Sequence, residues 1–400
     1  MFKIQNIRYI FVLALLVLTA MTYHPMFSNV VTFEGGVNPL NRYVVLLAII
    51  TFLLHFNYHS WFKNRLIRTY VINLVIVGIL GYLLVQMDVT KQYEIVARDL
   101  LMAFIFLTIG YNSKLSYRQL VVLSILYSFC VAFVTYRQLV QHAGGFVITD
   151  QYISYGKNTL GVMCAVSCVM LLVLFFDEKN KYLKLMMLIL YIYISILCIS
   201  IRARTDFLAI LLLTVFCIYK HMYRKKITMN SLSWIIFGSL SVICVLIIFP
   251  HIFHSISDYI IDSFTRNREG DIASGRDVGW HRALSVISES PLFGNMELRR
   301  QYDPLGIHNY FLRQLSSFGF LGSIPVLILY LYLFFYIIKR IVVLPIKDSY
   351  LGFYLFTILL IVSLGEPTFP YAPGSGVVVP FILLGSTLYQ EDNPQMAFCK

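Results

Sequence analysis

Apolar runs recur along the chain at 9–23, 43–56, 70–86, 95–111, 119–136, 159–176, 183–201, 205–219, 233–249, 318–338, 350–364 and 377–389, separated mostly by short polar connections. A helix needs about 20 residues to cross a hydrocarbon layer roughly 30 Å thick, and most of these runs approach that length. Inside hydrocarbon the backbone must satisfy its own hydrogen bonds, which a helix does and an open strand cannot. The pattern therefore predicts an all-α, polytopic transmembrane helical bundle of about twelve spans. The run at 9–23 follows Lys3 and Arg8, as the core of a signal peptide would. No small-x-small cleavage site follows it, so it reads as a span.

The longest interruption, 250–317, divides the chain into an N-terminal bundle at 1–249, the interruption itself, and C-terminal spans with a tail at 318–400. A connection of this length is usually functional. It begins with Ile252, Phe253, Ile256, Tyr259, Ile260 and Phe264 at helical spacing, with Asp258 and Asp262 turned away, which suits a helix lying at a membrane surface. A second helix is predicted after Asp271, where Ser274 and Asp277 have the spacing of a capping box. Arg276 would then share a face with Trp280, Ala283, Leu284 and Ile287, opposite Asp277, His281, Ser285 and Ser288, and point inward with the apolar stripe.

Composition supports lipid as the main solvent: 58% of the 400 residues are hydrophobic and 13% charged, and the mean hydropathy is +0.74. These values exclude an ordinary soluble domain. Lys and Arg concentrate in alternate connections, those around Lys3 and Arg8, 63–68, 114–118, 179–184, 220–226 and 339–347. The intervening ones hold only Arg42, Lys91, Arg137, Lys157, Arg202 and Arg204. Basic residues are retained on the cytoplasmic side, so both termini are expected inside and 250–317 outside. The net charge of +12 is then a topology signal and not a nucleic-acid footprint.

The candidate chemistry collects on that outer side. Arg202-Ala203-Arg204 lies between two apolar runs with almost no loop, which pins it at the outer surface; Arg204, supported by Arg202, suits a pyrophosphate, and snorkelling to lipid headgroups is the bland alternative. Arg276 has the alternative of a structural pair with Asp271 or Glu366. His308-Asn309 precedes the re-entering helix, where His308 would align with Leu312, Leu315 and Gly319. A helix N-terminus there favours a neutral imidazole and a bound anion. Arg98 with Asp99, Lys157, and the Arg299-Arg300 pair are further outer charges that read as ion-paired, lipid-facing or solvated. Of the seven cysteines, all but Cys399 fall in apolar runs and read as packing residues, with no metal-ligand spacing among them. No repeat, phosphate-cradling glycine loop or nucleophile elbow is present.

Ser274-Gly275-Arg276, Trp280, Pro291-Leu292-Phe293-Gly294, His308-Asn309, Gly319 and Gly322 together resemble the C-terminal signature of the O-antigen polymerase and O-antigen ligase superfamily, over roughly 198–340. Ala203-Arg204-Thr205 is similar to that family's Ser-Arg-Thr element, with alanine in place of serine, and Asn295 follows Gly294 where a second glycine is common.

The resemblance implies a metal-independent, inverting GT-C-like glycosyltransferase of the bacterial inner membrane, with its active site on the periplasmic side and no cofactor. Its donor would be an undecaprenyl-pyrophosphate-linked oligosaccharide. The acceptor would be a second lipid-linked glycan in a polymerase or lipid A-core in a ligase, with membrane lipids around it and a chain-length regulator as a further partner. His308, Arg276 and Arg204 would be catalytic; Arg202, Asn309, Trp280, Glu366, Arg98 and Lys157 would bind substrate. Glu366, in the Gly365-Glu366-Pro367 turn, could orient His308 or replace it as base. A transporter or flippase is the reading from another class; its charges would sit near the midplane.

Overall fold

The computed structural model describes residues 2–25, 39–86, 93–143, 157–201, 203–224, 276–302, 309–365 and 378–393. Their regular structure is entirely helical. In chain order, α1 is Phe2–Met21, α2 Pro39–Leu54, a short α3 His59–Lys63, α4 Arg65–Gln86, α5 Glu94–Ser113, α6 Tyr117–Ala143 and α7 Lys157–Asp177. There follow α8 Lys181–Ser200, α9 Arg204–Arg224, α10 Arg276–Glu289, α11 Met296–Tyr302, α12 Tyr310–Val343, a 3₁₀ turn at Asp348–Tyr350, α13 Leu351–Val362 and α14 Val378–Asp392. Among the described residues, six helices are long and apolar enough to cross a membrane, α4, α6, α7, α8, α9 and α12. Shorter apolar helices run through Gln5–Met21, Arg42–Leu54 and Asp348–Val362. The chain is an all-α, polytopic membrane helical bundle. The apolar run at 233–249 and the amphipathic stripe from Ile252 to Phe264 lie outside the described residues.

α7 is the central pillar, with 83% of its apolar window buried against 28% for α4 and α8. Small residues make this possible, because helices in lipid associate through close van der Waals contact. Gly161, Cys164, Ala165, Ser167 and Cys168 let α6, α8, α9 and α13 approach α7 from several sides. The five described cysteines are free thiols. α5 and α14 cross still more tightly: a Cβ at Gly110 would meet the Ile382 carbonyl, and one at Gly385 the Leu107 carbonyl.

The ends of the helices that carry the basic connections meet one another. Tyr111 and Asn64 both donate to Asp392 Oδ2 at 2.8 Å, Arg340 pairs with Glu391 at 2.8 Å, and Lys220 Nζ donates to the Ile341 carbonyl. Connections 63–68, 114–118, 179–184 and 339–347 thus share one end of the bundle, as the charge alternation requires.

Glu178 in that end accepts from the Lys179 amide at 2.7 Å, the Asn180 amide at 2.8 Å and the Tyr117 hydroxyl at 2.7 Å. Burial alone would raise its pKa, but these hydrogen bonds outweigh burial and hold the carboxyl below the ordinary 4.5. Its stabilisation is therefore complete above the unfolded value and is lost as pH falls through the lower folded one. Thermal scans of wild type and Glu178→Gln in the same detergent should show a lower melting temperature for the variant at neutral pH, with the two curves converging in acid. A gap that widens below pH 4.5 would contradict this reading.

Candidate functional site

α12 is interrupted. Gly319 has φ 61° and ψ −170°, so a helix at 310–318 ends there and a second begins at 320–343. A break in a membrane helix orphans carbonyls before it and amides after it, and these must find partners. The partner is the loop after α10. Asn295 N donates to Ser316 O at 2.9 Å, Phe320 N to Pro291 O at 2.8 Å and Leu321 N to Leu292 O at 3.0 Å.

This loop turns at Gly294, with φ 70°, its carbonyl bonded by Ser290 Oγ at 3.0 Å. A Cβ on Gly294 would lie 2.5 Å from Gly319 N, and a Cβ on Gly319 would press on the Leu292 carbonyl. The two glycines therefore cross backbone to backbone. The second half of α12 is held in turn by Tyr93, which donates from its hydroxyl to Gly322 O at 2.8 Å and sets its ring edge-on against Phe318.

The first half of α12 starts from a fixed junction. Asn309 caps it, its Oδ1 accepting from Leu312 N at 3.0 Å, while its Nδ2 donates to Leu364 O at 2.9 Å. Tyr310 N adds a bond to Ser363 O at 3.5 Å. The amide expected to bind substrate thus has its oxygen and one N–H engaged in joining α12 to the end of α13. His308, the covalent neighbour of Asn309, and Glu366, which follows Gly365, lie outside the described residues. The inward face at 310–318 also differs from the one predicted. Tyr310, Gln314, Ser317 and Phe318 are buried, while Leu312 and Leu315 are only half-buried. Asn309 caps the helix in extended conformation, so its periodicity starts at Tyr310.

Arg204 is the first residue of α9. The turn ahead of it is drawn tight by Ala203 N donating to Cys198 O at 3.2 Å and Phe207 N to Ala203 O at 3.0 Å. Ala203 and Asp206 are buried and Arg204 half-buried. Gly161 of α7 leaves the space that the Asp206 carboxylate fills, since a Cβ there would strike Asp206 Oδ2. Arg202 lies outside the described residues. Lys157 opens α7 and Arg276 opens α10; their side chains lie outside them too.

α10 rests on α12, and its expected facing holds in part: Ala283 is buried, and His281, Ser285 and Ser288 are exposed on the opposite side. Val286 is buried as well, whereas Trp280 is 38% and Leu284 51% exposed. Near a membrane an exposed tryptophan or leucine need not turn inward.

Sequence reasoning misjudged the burial of Arg299 and did not single out Arg313. Arg299, read as a solvated loop charge, is only 9% exposed, because α11 is wedged against α10 and α12. Arg313 falls one turn after Asn309 on α12 and acts electrostatically on Asp99 and Tyr310. Its spacing of four from Asn309 was the available signal. Arg98 pairs with Asp99, as one of its expected readings had it, at 3.2 Å. Among the described residues, no group of three or more His, Cys, Asp or Glu side chains is placed to hold a metal ion. No protein-family model matches the chain, and no curated protein matches it either.

Proposed function

We propose that this protein is a surface-polysaccharide polymerase of the bacterial inner membrane, joining undecaprenyl-pyrophosphate-linked glycans on the outer face. The observation that carries the reading is the interlock of Gly294 with Gly319. It joins the Pro291-to-Gly294 and His308-to-Gly322 parts of the resemblance through three backbone hydrogen bonds, giving both motifs a physical reason to occur together. In this reading the bundle has about twelve spans, a GT-C-like arrangement and cytoplasmic termini.

The chemistry follows from charge. An acceptor hydroxyl attacks the donor sugar C1 from the face opposite the leaving group; the C1–O bond to the diphosphate breaks with inversion, and the hydroxyl proton passes to His308. Negative charge grows on the departing diphosphate, so guanidinium groups fixed in advance stabilise the transition state more than the ground state. Arg204 and Arg276 supply them in this reading, with Arg202 and Lys157 as further substrate-binding charges. Glu366 orients His308, and Trp280 offers an exposed ring for a sugar face. Asn309 contributes by holding the His308 junction against α13.

Membranes holding the protein and supplied with lipid-linked repeat units test this. Chain formation should persist in EDTA, and His308→Ala should slow it by about 10²- to 10⁴-fold at equal protein level. Activity lost to EDTA and restored by Mg²⁺, or untouched by the substitution, would remove the scheme. Deletion followed by a gel of surface glycans separates acceptors. A single repeat on lipid A-core marks a lost polymerase, and bare core with accumulated lipid-linked polymer a lost ligase.

A further inference from the structure

A polymerase of this kind must hold two lipid diphosphates, one leaving and one carried by the acceptor. The Arg204 turn serves one. At the starts of α5 and α12 a second cationic group is present. Arg98 donates to Asp99 Oδ1 through Nε at 3.3 Å and Nη2 at 3.2 Å, with the Arg98 side chain 59% exposed and that of Asp99 15%. Arg313, exposed on the first half of α12, acts on the same carboxylate. Asp99 is ion-paired with Arg98 and within the electrostatic reach of Arg313, so one carboxylate is set against two guanidiniums. Part of the donor capacity of Arg98 is directed at Asp99, and the rest is open to solvent.

The supporting elements are rigid. Tyr93, just before α5, is bonded to Gly322 O at 2.8 Å, and Asn309, just before the helix that carries Arg313, is bonded to Leu364 O at 2.9 Å. Both groups sit on helices packed against a common element: Arg204 belongs to α9 and Arg313 to α12, and both helices rest on α13.

We propose that Arg98 and Arg313, poised by Asp99, bind the diphosphate of the lipid-linked acceptor. This rests on the polymerase reading and deepens it: an acceptor site is added to the donor site assigned to Arg204. Arginine suits the task because its planar fork binds phosphate oxygens in pairs. Asp99 positions the two guanidiniums and, by partly neutralising them, keeps the product from being held too tightly.

Titration of farnesyl diphosphate into the protein in phosphatidylcholine nanodiscs, followed by calorimetry, tests the assignment. Wild type should bind two equivalents. Arg98→Gln with Arg313→Gln should leave one, and Arg204→Ala should remove the other. Asp99→Asn, which unmasks both guanidiniums, should tighten the second event several-fold, whereas a merely structural Asp99 would loosen it. A single event, lost in Arg204→Ala and intact in the Arg98/Arg313 variant, overturns this inference and leaves the polymerase reading standing; no binding at all overturns both. Replacing a third of the lipid with phosphatidylglycerol identifies the source of the phosphate. Loss of the second event there assigns the group to lipid headgroups and overturns the acceptor assignment; retention supports it.

Discussion

On the proposed polymerase reading, replacing Arg204 with alanine is expected to slow glycan transfer by about 10²- to 10³-fold, the usual cost of removing one preorganised charge-stabilising donor. Arg204→Lys should recover only a minor part. Lysine keeps the charge but lacks the planar fork that meets two phosphate oxygens at once. Stability should barely change, since a half-buried side chain at a helix start contributes no more than about 1 kcal/mol through charge pairing. A cation in the first turn even opposes the macrodipole of α9. The measurement is initial rate in proteoliposomes against lipid-linked donor, alongside a melting curve. Full activity in the lysine variant would mean that charge alone suffices and that the paired hydrogen bonds are not used. A melting temperature that falls together with the rate would mark Arg204 as a fold residue.

The contrast with Asp206 sharpens this prediction. Asp206 is almost fully enclosed, on the same first turn as Arg204, with Gly161 shaped around its carboxylate. An enclosed carboxylate near a helix N-terminus acts on the fold. Asp206→Ala should therefore lower stability, whereas Arg204→Ala should lower rate, although the two positions are only two residues apart.

Much of the bundle was legible because lipid makes hydrophobic runs nearly synonymous with helices. The runs at 119–136, 159–176 and 205–219 each fall inside a helix long and apolar enough to span, and that at 183–201 overruns its helix by one residue. α5 is as long as α8, yet it carries Glu94, Arg98 and Asp99 in its first turns, so apolar length is a weaker guide there. Facing was harder. Burial in a soluble core forces an apolar stripe inward, but a membrane or its interface also accepts leucine and tryptophan outward, and of the stripe expected on α10 Ala283 is buried while Trp280 and Leu284 stay exposed. Partnership was harder still. Nothing in the periodicity around Arg299 or Arg313 marks which neighbour each approaches, because that depends on how α11 and the first half of α12 dock.

The break at Gly319 is the clearest case of a feature that periodicity does not record. Its φ of 61° leaves no trace in an apolar pattern, and its partner loop lies a helix earlier in the chain. Gly319→Ala is expected to be among the most damaging small substitutions in the protein. Positive φ with ψ near 180° is a backbone region almost confined to glycine, and it costs a side-chain-bearing residue roughly 1–3 kcal/mol. The added methyl would also collide with the Leu292 carbonyl, which must move, and overpacking of this kind costs a further ~1–3 kcal/mol. The loop would have to lift, breaking the bonds from Phe320 and Leu321 to Pro291 and Leu292.

Hydrogen exchange at those two amides should rise sharply and transfer activity should fall, while helix content stays near wild type. Gly78→Ala is the matched control: it sits within α4 with no atom within 4 Å of the new methyl, and alanine in a helix interior is favoured by up to about 1 kcal/mol. If Gly319→Ala protects the Phe320 and Leu321 amides as well as Gly78→Ala does, the crossing of the two glycines is not what holds the loop. The support it lends to the proposed active site would go with it. Faster exchange with unchanged activity would instead show that the loop is held as described but does not set the geometry of the reaction.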